Sequence, residues 1–361
     1  MHIYKRYKRY IITILLAAVV LISPGIMPGA QVFAAENDET TGKVSFDESE
    51  YRQLKSHKVH AVRLKGNLTS MINESSSGYA VVQGGCTDGK YAYYLMVSST
   101  TQHGRVLKVR IKDRKVVRRS KVLNTWHGNG MAYDSKRKKL VVVAREHRKQ
   151  EITLIDAKTL KVTRQENVKY KYYKNAKTGL TKEHQEQGLG AIAYVERYDC
   201  YIALERTYHN LLIFDPDTFQ AIGFVRTDIT DKYPGSYQAI DADEKYVYFL
   251  LSACTENYSK QPHNLILALD WNSEKLLPVV NAGGKSPKRV KKSWYCGNKR
   301  NGKPDAVLRI NTRHEAENIY HTVDKKGREH FYLSEYYSHL GYSRGRLYTK
   351  RSNYVYSLGI I

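Results

Sequence analysis

The chain has 361 residues, with 59 Lys and Arg against 35 Asp and Glu and a formal net charge of +24. A chain of this length buries a core without cross-links, and its 4 cysteines, none in a CxxC pair, exclude a disulfide scaffold and a zinc ribbon. The basic surplus draws polyanions: wall teichoic acids, acidic glycans, anionic lipid head groups or nucleic acid.

At the start, four cations (Lys5, Arg6, Lys8, Arg9) precede an apolar run from Ile11 to Ile22, then helix breakers and the small-residue stretch Val32-Phe33-Ala34. This order predicts a secretory signal peptide over residues 1–34, cleaved after Ala34 or Ala35; the run is short for a membrane span of about 20 residues. Cleavage removes four cations and no acid, taking +24 to about +20. No later segment is long and apolar enough to span a bilayer. The mature protein is therefore expected outside the cell or on its wall, as a monomer with no transmembrane span and no nucleic-acid partner. Residues 35–58 are polar and read as disordered or extended, and 59–361 as one folded domain.

That domain repeats. Five blocks share one grammar: a short strand entered through polar or glycine residues, a charged turn, an apolar strand, a polar loop, a third strand, a tight turn and a fourth strand. The first block runs "AVVQGGCTDG", "KYAYYLMVSS", "GRVLKVRIKD", "KVVRRSKVLN", and the second opens on "HGNGMAYDSK". "QGGCTDGKYAYY" superposes on "YQAIDADEKYVYF", placing Asp88 on Asp243, Tyr91 on Tyr246 and Tyr93 on Tyr248. The turns "DAKT", "DPDT" and "DWNS" are hairpin sequences in which Asp accepts local backbone bonds.

Four antiparallel strands per unit of roughly 40 to 50 residues, without helical periodicity, describe an all-β, five-bladed β-propeller of four-stranded antiparallel blades. First strands are expected near 80–86, 128–133, 188–194, 236–241 and 316–321, with fourth strands in "EKLLPVVNA" for the fourth blade and "YVYSLGI" for the last. "KVHAVRLKG" around His60 is placed to add a strand to the last blade and close the ring, removing two sheet edges. Cys86 and Cys200 read as buried thiols; Cys254 and Cys296, in loop-like sequence, form the one pair that is plausible.

In such a ring the fourth-to-first and second-to-third connections share one face. Gln83, His127, Gln187, Gln238 and Glu315 stand at the starts of first strands and are expected to ring the channel mouth. All five second-to-third loops contain a histidine (His103, His147, His209, His263, His339), which caps a turn or faces a ligand. Glu146, Glu205 and Glu335 end second strands, with Arg145 and Arg206 beside two of them. A carboxylate, an imidazole and a guanidinium at one depth suit acid-base work or an acidic sugar, so His127, Glu146 and Glu205 are the catalytic candidates. Two basic insertions, 165–186 and 280–312, interleave cations with Tyr170, Tyr172, Tyr173, Trp294 and Tyr295; rings that stack on sugars beside cations that meet phosphate or carboxylate fit an anionic polymer. No metal-binding set is evident. The only cofactor such a ring implies is a structural cation or water in the central channel.

The strings "QGGCTDGKYAYY", "WHGNGMAYDSKRKKLVVV" and "EAENIYH" resemble a propeller-like domain of secreted Gram-positive bacterial proteins, over about Gly78 to Ile361. More distantly the architecture is similar to helveticin-like bacteriocins and to five-bladed glutaminyl cyclases. The glutamate-glycine-leucine signature of the cyclases is absent, with "HGNGMAY" in its place. The resemblance implies fold and secretion rather than a reaction.

The sequence thus favours a secreted module that binds an anionic cell-envelope or extracellular glycan on a basic, tyrosine-rich loop face. The alternatives are a lyase or transferase acting on an acidic glycan or peptide at the channel mouth, and a bacteriocin-like toxin.

Overall fold

The structure is a computed structural model that describes residues 52–53, 60–62, 79–98, 103–113, 115–144, 151–168, 188–206, 209–231, 233, 235–252, 264–276, 293–297, 303–310, 315–323, 329–343 and 346–359. The chain is all-β, in mostly antiparallel sheets set in a propeller-like ring. Two short strands come first, β1 (Arg52–Gln53) and β2 (His60–Val62). The first sheet is β3 (Tyr79–Thr87), β4 (Tyr91–Ser98), β5 (Gly104–Arg110) and β6 (Lys115–Arg119); the second is β7 (Gly130–Asp134), β8 (Lys139–Val143), β9 (Glu151–Asp156) and β10 (Val162–Asn167). The third begins β11 (Leu189–Val195), β12 (Cys200–Glu205), β13 (Leu211–Phe214) and β14 (Ala221–Arg226); the fourth begins β15 (Ser236–Ala242), β16 (Tyr246–Ser252) and β17 (Asn264–Asp270). There follow β18 (Ser293–Tyr295), β19 (Ala306–Ile310), and the last sheet's β20 (Glu315–Val323), β21 (Glu329–Ser343) and β22 (Arg346–Gly359).

Expected and observed first strands agree within about two residues, but the expected four-stranded uniformity holds only in part. Three sheets have four antiparallel strands; the third and fourth have five. β18 adds in parallel to β14, and β1 adds in parallel to β19. The fourth position of the fourth sheet is filled by β19 rather than by "EKLLPVVNA", most of which lies outside the described residues. In the last sheet the expected fourth strand is part of one long strand, β22, paired with β21 from His330 to Ser343; a long hairpin replaces the expected loop and fourth strand. The fourth strand there is β2, antiparallel to β22 through His60↔Ser357, as expected for a closing strand. Sequence from the beginning of the domain thus seals sequence from its end, which removes an exposed edge.

The innermost strands abut in cyclic order, β3 on β7, β7 on β11, β11 on β15, β15 on β20 and β20 on β3. Side chains alternate across each strand, so every sheet offers apolar residues to both neighbours. The result is an apolar layer at each junction: Leu95 with Met131, Val141 with Ile192, Ile202 with Phe249, Leu250 with Ile319, and Tyr94 with Tyr320. No helix among the described residues is long and apolar enough to cross a membrane.

The end of the ring where the innermost strands finish is held by a repeated clasp. Asp88 Oδ1 accepts the N–H groups of Lys90 and Tyr91 at 2.9 and 2.6 Å, and its Oδ2 accepts the Tyr93 hydroxyl at 2.7 Å. Asp243 makes the same three bonds with Lys245, Tyr246 and Tyr248 at 2.7, 2.6 and 2.6 Å, so the internal sequence match is a match of function within the fold. Fully buried Asp134 takes the Tyr201 hydroxyl at 2.7 Å and an Arg137 N–H at 3.2 Å, and Arg137 also binds Asp199 and Asp217 across the second and third sheets. The "DAKT" and "DPDT" turns repeat as well: Thr159 and Thr218 each donate N–H and hydroxyl to Asp156 and Asp215, with Leu160 and Phe219 left-handed at φ 58 and 54°. "DWNS" departs from them, passing into a short 3-10 turn at Ser273–Lys275.

Candidate functional site

At the opposite end, the mouth, each innermost strand carries an extra residue near its start. Gln83 is inserted between Val82 and Gly84, Gly190 between Leu189 and Ala191, Gln238 between Tyr237 and Ala239, and Glu317 between Ala316 and Asn318. In β7 both Asn129 and Gly130 meet Val143, the Asn129 N–H donating to its carbonyl at 3.2 Å. A bulge breaks the alternation and re-aims the inserted side chain.

The consequence is visible at the fourth sheet. Tyr237 and Ile240 pack toward the third sheet, Ala239 packs toward the last, and Gln238 turns with Ala239 so that its Nε2 donates to Glu315 Oε1 at 3.0 Å. In β20, Asn318 likewise turns to the first sheet and donates to the Gly85 carbonyl at 3.3 Å. Small residues follow the bulge because neighbouring strands leave no room: a Cβ on Gly84 would lie 3.0 Å from Met131 Cβ, and one on Gly130 would lie 2.8 Å from Ala191 Cα. The local grammar is therefore polar, then small or Asn, then apolar: Gln83-Gly84, Asn129-Gly130-Met131, Gln238-Ala239-Ile240, Glu317-Asn318-Ile319. Gly190 leaves one place in this belt without a side chain.

Carboxylates from second strands sit behind the belt. Glu205, 2% exposed, ends β12 opposite Leu189, and Glu335, fully buried in β21, lies opposite Ala316. Asn264 Nδ2, from the start of β17, donates to Glu335 Oε1 at 3.5 Å, and Ser252 Oγ accepts the Ala316 N–H at 3.3 Å. Gln238, Ser252, Asn264, Glu315 and Glu335 thus share the crevice between the fourth and last sheets. Among the described residues the buried Gln83 Oε1 has no hydrogen-bond partner, an acceptor left open in a place where that costs about 1–3 kcal/mol. The mouth is rich in acceptors and suits a ligand that brings hydroxyl or amine donors.

Of the expected mouth residues, Gln83 and Gln238 occupy bulge positions and Glu315 sits two residues before one. His127 is half-buried in a turn two residues before Asn129, with Trp126 and His127 left-handed at φ 47 and 68°. Non-glycine residues held there cost of order 1 kcal/mol each, at the mouth as in the far-end turns of Leu160 and Phe219. Arg206 is half-buried beyond Glu205, and its N–H donates to Gly188 O at 3.3 Å. Arg145, Glu146, His147, Gln187 and His263, with Tyr170, Tyr172 and Tyr173, lie outside the described residues.

Two placements differ from expectation, those of His339 and of Trp294 with Tyr295, while His209 follows the turn-capping alternative. His339 belongs to strand β21, opposite Lys350, not to a loop. His209 is a turn residue at φ 54°, its carbonyl accepting the Thr227 hydroxyl and its ring 4.4 Å from the Tyr237 ring. Trp294 and Tyr295 form part of β18 on the outer edge of the third sheet. The Trp294 ring is 6% exposed, lies against Gly223 and donates its indole N–H to Trp271 O at 2.7 Å; the Arg226 guanidinium covers the Tyr295 ring at 5.0 Å. An apolar segment beside an open sheet edge gains both burial and a ladder, which a loop does not offer. Cys86 and Cys200 are buried free thiols as expected; Cys296 is one too, and its proposed partner Cys254 lies outside the described residues. No group of three or more His, Cys, Asp or Glu among the described residues is placed to hold a metal ion.

Sequence reasoning passed over Asn129, Glu317 and Asn264. The signal that identifies the first two is the polar-small-apolar triplet; the strand-entrance positions coincide with it at Gln83 and Gln238 and fall two residues before it at His127 and Glu315.

No protein-family model matches the chain, and no curated protein matches it. Among solved structures it is similar to the hydrazine synthase of Kuenenia stuttgartiensis, with a TM-score of 0.37 and 10% identity, over 71% of this chain and 55% of that one. The chain thus spans about half the length of that protein, and a likeness so remote carries no chemistry.

Proposed function

We propose that the chain is a secreted five-bladed β-propeller that binds an anionic cell-envelope or extracellular polymer at the mouth face. The observation that carries this reading is the belt of bulges, which brings polar side chains from separate sheets to one opening in a chain of net charge +24. The carboxylates there are few against that surplus, and two of them are held, Glu315 by Gln238 and Glu335 by Asn264. The five sheets, the cyclic contacts of their innermost strands and the closure by β2 support the blade count. The signal-like start of the chain supports secretion.

A second reading is favoured by one pairing. Buried Glu335 meets Asn264, and Glu315 meets Gln238, so that one crevice holds two carboxyl groups of the kind that acid-base work on a glycan or peptide uses.

Retention of the mature protein on purified wall teichoic acid, acidic glycan and neutral glycan, over a salt series, tests both. Binding to an anionic polymer that weakens steadily with salt is expected, and Gln83→Leu should weaken it several-fold. Salt-insensitive binding to the neutral glycan would overturn the electrostatic reading. Product release from an acidic glycan, lost in Glu335→Gln, would replace binding with catalysis.

A further inference from the structure

The outer edges of the sheets are not alike. β18 covers β14, β1 covers β19 and β2 covers β22, while β6 and β10 end their sheets. On β10, Arg164 is taken up by Glu166 at 2.6 Å and by the Asp217 carbonyl at 2.6 Å. On and around β6, Lys112, Lys115, Arg118, Arg119 and Lys121 are all exposed, and no side-chain ion pair holds any of them among the described residues, although Asp113 accepts the Lys115 N–H. The one acid nearby, Asp113, is paired with Arg110 at 3.0 Å.

These cations form a line. Lys112 lies in the turn at the far end and Lys121 beyond β6 on the way to the mouth, so the charges run the height of the sheet. Alternate residues on a strand are spaced by about 7 Å. An extra residue, Val117, bulges the strand and stands 42% exposed, and among the described residues no strand pairs with the outward backbone groups. The segment from Lys112 to Thr125 contains no aromatic residue, so the ridge offers no ring of its own on which a base or a sugar could stack before Trp126 at its mouth end.

We propose that this edge is a docking ridge for an extended phosphodiester polymer without bases, of the poly(alditol phosphate) class, which it leads toward the mouth. Exposed, unpaired cations in a row read charge along a chain and nothing else. A polymer with neither bases nor stacked sugar rings asks for nothing more. The ridge is separate from the mouth belt, and each stands if the other fails.

The test uses the mature protein and a synthetic poly(glycerol phosphate) of defined length, with oligothymidine and polygalacturonate of equal charge alongside. Arg118→Glu with Arg119→Glu should lower affinity for poly(glycerol phosphate) roughly tenfold or more at about 50 mM salt, and should flatten its salt dependence by at least one unit of log-log slope. The matched reversal of exposed Lys158 and Lys161, on the second sheet, should have a much smaller effect. An equal loss from that control would reduce the ridge to net charge and overturn the proposal. So would tighter binding of oligothymidine or polygalacturonate. A double variant that aggregates while its monomer binds as tightly as before would show that the cations only guard a bare strand edge, and would also overturn it.

Discussion

The two ends of the ring use polar residues in opposite ways. At the far end Asp88, Asp134 and Asp243 are ringed by donors from their own turns and neighbouring tyrosines, so each buried oxygen has a partner. At the mouth the inserted residues break the strand pattern, and the buried Gln83 Oε1 has no hydrogen-bond partner among the described residues. One end spends its polar groups on holding sheets together; the other keeps them open at a cost in stability, which is how binding sites and folds divide a domain.

The largest effect should come from breaking the clasp. Asp243→Ala strips the turn of its acceptor and removes the bond from the Tyr248 hydroxyl, so a loss of about 2–4 kcal/mol is expected in urea unfolding. Asp88→Ala should cost about as much, because its three bonds are the same. A marked inequality between the two would mean that the repeat is a likeness of sequence without a likeness of role.

A smaller effect concerns pH at the far end. Burial raises the Asp241 carboxyl to about 7, against the N–H groups of His321 and Ala242, which lower it, and with nearby Asp243 raising it further. The folded state then holds a proton that the unfolded chain releases near pH 4, so stability should fall as pH rises from about 4 to 7 and level off above. Asp241→Asn should remove that decline and raise the melting temperature by a few degrees at pH 8. Asp156 and Asp199 are lowered to about 2, Asp156 mainly by the Thr159 backbone and hydroxyl and Asp199, despite its burial, by Arg137 and Lys136. Their contribution should instead disappear as pH drops from 4 through 2. A melting temperature independent of pH between 5 and 8 in the unaltered protein would contradict the assignment.

Least of all should change in the stability of Gln83→Leu. Removing an unpaired buried acceptor for an apolar side chain of similar size should leave the melting temperature the same or slightly higher, while mouth binding weakens. Severe destabilisation would place Gln83 with the far-end residues, as part of the fold.

Much of the architecture was legible. First strands show as apolar runs after polar or glycine residues, and the clasp shows as the shared Asp and two Tyr of "TDGKYAYY" and "ADEKYVYF", because each is a local pattern. The added strands were less so: β18 and β1 pair in parallel with strands distant in sequence, and no local periodicity announces a partner that far away. Trp294 misled for the same reason. A tryptophan among lysines reads as exposed until an open edge on the third sheet offers it cover.

The sequence by itself determined the repeat, the tight turns and the closing strand near His60, since these follow from residue order and short-range backbone preference. Only the tertiary structure decided which polar residues reach the mouth. A bulge shifts side-chain direction by one residue, and its position depends on how closely the neighbouring strand approaches: Gly130 lies against Ala191 and Gly84 against Met131. That spacing is a property of the assembled ring, and it moved the belt from His127 and Glu315 to Asn129 and Glu317.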